Sequence, residues 1–374
     1  MNDKKIIVAI TNGDTNAIGY EMILKAFEDP TMLELCTPII YGSPKVAAYH
    51  ASAMNIETPY TIINQIEEAQ ANRLNLLNCF GNEETPVAFG EPTVESGNAA
   101  LRSLERAVAD YQKGLFDVLV TLPVNRSTIQ GFQGHADYLE RKLGKGSGIS
   151  ILLNKDVRVA LVTNNVAVKD IAEAITKQKI VEKATLFHES LRRDMRVSSP
   201  RIAVLSLNPR CGEEGALGEE EQEIIIPAIQ ELEEKGIQAF GPYAADNFFG
   251  NGDYYHFDGV LAMYHDQGLT PFKTISPDDG VRFTAGLPIV RTAPATGTQF
   301  PLAGRNQTSP YMLCQAIYAA IDVFRNRKEY DAPLANPLPK LYHEKRDDSE
   351  KVRFRSPAGE RDSQNPSTPK TPKN

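Results

Sequence analysis

Short apolar runs alternate along this chain with segments of helical period, and few architectures tolerate that rhythm. Ile6–Ile10 is followed by Tyr20–Phe27, Pro38–Tyr41 by Pro44–Met54, and Arg201–Leu207 by Glu219–Glu234. Within Gly97–Lys113, Ala100, Leu101, Leu104, Ala107, Val108 and Tyr111 recur at the spacing of one helix face and lead into the strand Phe116–Leu122. Strands apolar on both faces need cover on both faces, so the alternation predicts an α/β fold around a central, mostly parallel sheet. Lys169–Arg193 reads as one or two amphipathic helices. Pro310–Arg327 carries Met312, Leu313, Ala316, Ile317, Ala320, Ile321 and Phe324 on one stripe.

At 374 residues the chain exceeds what one hydrophobic core usually serves, which predicts two lobes within residues 1–343. Residues 344–374 are rich in charge, Ser and Pro and nearly lack apolar side chains, so a disordered tail is expected there. The formal charge of −8 includes no long basic block and gives no electrostatic reason to expect nucleic acid. The N-terminal apolar run is too short for a signal peptide or a membrane span and reads as a first strand. Cys36, Cys79, Cys211 and Cys314 lie far apart with no C-x-x-C pair, which predicts reduced thiols in a cytoplasm.

Several strings stand out: Thr11-Asn12-Gly13-Asp14 through Gly19-Tyr20-Glu21, Leu122-Pro123-Val124-Asn125, Gly134-His135, Leu207-Asn208-Pro209, Ala262 through Leu269, and Gly286-Leu287-Pro288 through Arg291-Thr292. In order and spacing, from about residue 5 to residue 327, they resemble the 4-hydroxythreonine-4-phosphate dehydrogenases of vitamin B6 biosynthesis. The resemblance implies an isocitrate/isopropylmalate dehydrogenase-like fold, two lobes with the active-site cleft between them, and a homodimer whose sites are completed by the partner subunit. It further implies NAD-dependent oxidation of a small phosphorylated hydroxy amino acid, followed by loss of carbon dioxide, with a divalent metal held by three histidines. This fold does not use a G-x-G-x-x-G fingerprint, and none occurs here at a strand–helix junction.

Residue by residue, the resemblance assigns His135 to substrate binding and Lys273 and Arg291 to the phosphate and carboxylate ends, tasks suited to a point charge and a planar fork. Read alone, each cation would be an ordinary solvated side chain. The position after His135 usually carries threonine and is Ala136 here, while a family asparagine between Lys273 and Arg291 is Arg282. Asp246 and Asp266 are further candidates. The loop Thr11–Gly19 can hold an anion at a helix N-terminus or serve as a plain βα turn, with Asp14 capping or bracing the cleft. On the cofactor side Gly297 and Gly304 keep the family's glycines, whereas Thr296, Gln299 and Ala17 replace family residues.

The metal site departs most. His265 matches one ligating histidine, but Asn165 and Arg210 stand at the other two positions. An amide oxygen is a weaker donor than imidazole, and a guanidinium repels a dication, so metal binding is expected to be weak or absent. Cys211 could ligate only with a one-residue loop shift, and His265 with Asp266 and Asp246 could form a weak hard-metal site. Two functions follow as expectations. One is a dehydrogenase of this family using Arg210 as an electrostatic substitute for the metal. The other is a catalytically impaired paralogue that keeps the fold and dimer as an anion-binding or interaction protein.

Overall fold

The computed structural model describes residues 5–81, 85–144 and 148–336. The expected tail 344–374 lies outside them, as do residues 337–343 of the expected two-lobed unit. The chain divides into Met1–Ala332 and Pro333–Asn374, and the sheet and cleft belong to the first unit.

The strands run β1 (Ile6–Thr11), β2 (Cys36–Gly42), β3 (Tyr60–Ile63), β4 (Leu74–Asn78), β5 (Val118–Thr121) and β6 (Ile149–Leu153), of which β1, β2 and β5 fall on the expected apolar runs. They continue with β7 (Arg158–Leu161), β8 (Arg201–Leu205), β9 (Gln238–Tyr243), β10 (Gly259–Ala262), β11 (Val281–Ala285) and β12 (Val290–Pro294). Among the described residues these make one sheet in the order β3-β4-β2-β1-β5-β12-β11-β6-β7-β10-β8-β9. Pairing is parallel from β3 to β12 and again from β7 to β9. It is antiparallel where β12, β11, β6 and β7 meet. Two parallel halves are thus joined by an antiparallel centre, and β2 is buried along its whole length.

The helices begin where caps permit. Val94–Gln112 starts earlier than its apolar stripe, because Thr93 Oγ1 accepts from Ser96 N at 3.1 Å while Ser96 Oγ accepts from Thr93 N at 3.3 Å. Pro44–Met54 opens with Pro44 at its first turn and Ser43 as its cap. The segment Lys169–Arg193 breaks into Ile171–Ala174 and Lys177–Arg193, the second capped by Thr176. Glu219–Glu234 resolves into a widened turn, Glu221–Ile225, and a helix, Ile226–Glu234, at whose start Pro227 supplies no N–H. No helix among the described residues is long and apolar enough to cross a membrane. All four cysteines are free thiols.

Candidate functional site

A cleft of about 270 Å³ opens where the antiparallel centre meets both parallel halves. Its walls come from the segments just past the C-terminal ends of β5 (Leu122–Val124 and Arg126), β7 (Asn164, Asn165), β10 (His265) and β12 (Thr296, Gly297). Ligands in open α/β sheets bind at such carboxyl ends. β11 and β12 themselves contribute Arg282 and Arg291, and β6 contributes Ser150.

Arg291 is only 4% exposed. Its Nε donates to Thr121 Oγ1 at 2.9 Å and its Nη1 to Thr284 Oγ1 at 3.2 Å, while Nη2 also reaches Thr121. Among the described residues no carboxylate pairs with this guanidinium. Burial, and then the neighbouring Arg282, push its pKa down to about 9, so it stays charged at neutral pH. Arg282 Nη1 donates to Ser150 Oγ at 3.1 Å. Its pKa is lowered too, by burial and then by Arg126. A buried cation without a counterion is costly, and Arg291 is one that borders a cavity.

His135 opens the helix His135–Leu143, and Gly134 before it has φ 137°, a region that favours glycine. The imidazole packs edge-on against Phe132, with centroids 5.6 Å apart. Burial, then Arg291 and Arg282, hold its pKa well below the usual histidine value. At neutral pH it is therefore an uncharged ring that can donate one hydrogen bond.

The metal-ligand positions are occupied otherwise. Asn165 Oδ1 accepts from Arg126 Nη1 at 3.0 Å, and the same nitrogen donates to Gln133 O at 3.1 Å. His265 Nδ1 lies 2.7 Å from Asp266 Oδ1. Arg210 does not line the cleft; its side chain is 66% exposed and pairs with Glu213 at 3.0 Å. The turn Arg210–Glu214 runs through consecutive left-handed φ/ψ values, which carries Arg210 away. Cys211 Sγ meets Pro242 O at 3.5 Å instead of a metal position. Within one chain, no three His, Cys, Asp or Glu among the described residues cluster closely enough to hold a metal, so Asp246 does not complete a site with His265 and Asp266. These donors do not fit a three-imidazole metal centre.

Other expected residues also stand apart from the cleft. Lys273, Asp246 and Asp266 are solvent-exposed and outside its lining. Gly297 lies on the rim, with no atom within 4 Å of where its Cβ would be. Gly304 instead fits beneath Phe89, whose ring would clash with a Cβ at 2.7 Å. Thr11–Gly19 is buried, and Asp14 N donates to Pro123 O at 3.0 Å, so this loop braces the cleft wall and presents no anion site to it. Sequence reasoning missed Arg126, Thr121 and Ser150. Arg126 had a signal, since it directly follows the string Leu122-Pro123-Val124-Asn125.

Residues 34–320 match the family described as pyridoxal phosphate biosynthetic protein PdxA. The chain is 56% identical over 359 residues to the 4-hydroxythreonine-4-phosphate dehydrogenase of Bacteroides thetaiotaomicron, covering 95% of this chain and 98% of that one. Among solved structures, the 4-hydroxythreonine-4-phosphate dehydrogenase of Klebsiella pneumoniae superposes with a TM-score of 0.72 at 27% identity, over 87% of this chain and 99% of that chain. The Burkholderia phymatum enzyme of the same name gives 0.68 at 28%, over 86% and 99%.

Proposed function

This chain belongs to the pyridoxal phosphate biosynthetic protein PdxA family, and from that membership we propose that it is a 4-hydroxythreonine-4-phosphate dehydrogenase-like oxidoreductase of vitamin B6 biosynthesis. The observation that carries the reading to this cleft is Arg291, a buried guanidinium hydrogen-bonded only to hydroxyls and facing a cavity. An anionic substrate group supplies the missing counter-charge.

Arg291 and Arg282 hold the phosphate or carboxylate of a small phosphorylated hydroxy acid. His135 donates a hydrogen bond without adding charge. Thr296 and Gly297 at the open rim would hold NAD, which would supply the hydride acceptor. No step is assigned to a divalent metal, because Asn165 is engaged by Arg126 and Arg210 by Glu213.

Lys273, Asp246 and Asp266 are exposed on their own chain, as residues offered to a partner's cleft in a homodimer would be. A cytoplasmic location completes this reading. The loss of donors at Asn165 and Arg210 favours a second one, in which the cleft still binds phosphorylated anions but turns them over poorly.

NADH formation from 4-phosphohydroxythreonine tests the proposal, with Arg291→Gln as the comparison. The dehydrogenase reading expects saturable NADH formation that falls at least tenfold in kcat/KM in the variant. Saturable substrate binding with no NADH formed overturns it in favour of the second reading.

A further inference from the structure

Between the end of β12 at Pro294 and the helix that starts at Tyr311, the chain makes only short turns. Leu302 N donates to Gln299 O at 2.9 Å and Arg305 N to Leu302 O at 3.2 Å, while Gln299, Gly304 and Asn306 all take left-handed φ values. A segment of this kind has no ladder or long helix of its own to fix its place, so its outside anchors do so. Thr296 and Gly297, on the rim of the cleft, belong to it.

The far end of the segment is clamped by two charged side chains of the helix Gly19–Ala26. Glu21 Oε1 accepts from Thr308 N at 2.7 Å, Lys25 Nζ donates to Thr308 O at 3.0 Å, and Lys25 pairs with Glu21 at 2.8 Å. Glu21 is fully buried, and its Oε2 has no partner among the described residues, so its hold on the segment is exerted through Oε1. A carboxylate in such a place is costly, and the helix does not need it for packing, since Tyr20, Met22, Ile23 and Leu24 already bury its apolar surface. The middle of the segment is tied from the same quarter. Phe89 packs on Gly304, and Asn16 fixes the neighbours of Phe89 by accepting from Ala88 N at 2.9 Å and donating to Glu91 O at 2.8 Å.

We propose that Glu21, although it does not line the cleft, is a positioning residue for the dinucleotide: through Thr308 it holds the segment that carries the rim. This goes beyond the proposed dehydrogenase function and rests on one part of it, that Thr296 and Gly297 hold NAD. Arg291, Arg282 and His135 are carried by β12, β11 and the helix His135–Leu143, and among the described residues none of the three hydrogen-bonds to Glu21. Loss of Glu21 Oε1 therefore loosens the cofactor's end of the cleft and leaves the anion's end in place. An amide at this position keeps an oxygen on Thr308 N while its NH2 takes the unpartnered Oε2 position, so Glu21→Gln preserves the tie that Glu21→Ala removes. Glu21→Asp does the reverse of the amide. It keeps the charge but, one methylene shorter, draws the oxygen back from Thr308 N.

Fluorescence titration with NADH and calorimetric titration with inorganic phosphate, both on the full chain, test this in the parent and the three variants. Glu21→Ala should weaken NADH binding about tenfold, the scale of one lost hydrogen bond to a charged group, and phosphate binding by less than about twofold. Glu21→Gln should stay within about threefold of the parent for both ligands. Hydrogen exchange in residues 296–308 should quicken in Glu21→Ala, a change read without any cofactor. Glu21→Asp carries the same expectations as Glu21→Ala and replaces it in the test if that variant does not fold. NADH affinity unchanged in these two variants overturns this inference alone. Equal losses of NADH and phosphate affinity mean that Glu21 supports the fold at large, and overturn it as well. A parent that binds phosphate but not NADH overturns the cofactor's place in the proposed function, and the inference with it.

Discussion

The Nε of Arg291 donates to Thr121 Oγ1 at 2.9 Å, so that a charged group on β12 is held by a neutral hydroxyl at the end of β5. The two strands are parallel neighbours, with Thr292 in register with Val120. A hydroxyl orients a guanidinium but cannot neutralise it. The free protein therefore holds a buried positive charge in readiness for an anion.

Inorganic phosphate should consequently raise the melting temperature. A ligand bound only to the native state adds about 2.7 kcal/mol at a hundred times its Kd, enough for a shift of several degrees in a chain of this size. Arg291→Gln should abolish the shift, and without phosphate the variant should be at least as stable as the parent, since an unpaired buried charge has been removed. Calorimetry with and without phosphate measures both. A phosphate shift undiminished in the variant would place the anion elsewhere.

His50 gives a pH dependence. It is fully buried, with Nε2 2.8 Å from Thr15 O and Nδ1 without a partner. Burial lowers its pKa from 6.5 to about 4, against a smaller opposing effect of the Thr15 bond. Below pH 6.5 the unfolded chain takes up a proton that the folded chain refuses, so stability falls as the pH drops from 6.5 towards 4. The slope from this group approaches about 1.4 kcal/mol per pH unit. Urea unfolding at several pH values should show a steeper loss in the parent than in His50→Gln, and parallel curves would rule His50 out as a source.

Glu221 is buried and fixes the loop beyond β8, with Oε1 accepting from Leu207 N at 2.8 Å and Asn208 N at 2.7 Å. Glu221→Ala strands both donors and should cost about 3 kcal/mol, whereas Glu221→Gln, which keeps an acceptor oxygen, should cost less. Equal losses in the two variants would mean that these backbone bonds do not govern the loop.

Much of the scaffold was legible because its strands are apolar on both faces and its helices keep one apolar stripe. β11 and β12 were not read as strands, since Arg282, Thr284, Arg291 and Thr292 interrupt their apolar pattern. Three of those residues belong to the cleft or hold its central cation, so local rules failed where the site required polar side chains. His135, His265, Asn165 and Arg291, singled out through the family resemblance, all line the one cleft. Arg210 stands outside the cleft of its own chain. Following Leu207-Asn208-Pro209 suggested a position inside the cavity, but the left-handed run that turns it outward involves non-glycine residues, for which sequence gives no reliable sign.

Zinc content by mass spectrometry, followed by zinc titration, tests the account most directly when applied to the chain as purified, Asn165→His, Arg210→His and the double variant. The unmodified chain should hold little zinc and bind it weakly. Asn165→His alone should gain little, because Arg126 remains beside that position and Arg210 still supplies no donor; Arg210→His alone leaves too few imidazoles. The double variant should gain no more than Asn165→His alone, because the left-handed turn Arg210–Glu214 holds position 210 outside the cleft. Tight, stoichiometric zinc in the unmodified chain would contradict the account and restore an ordinary metal-dependent cleft.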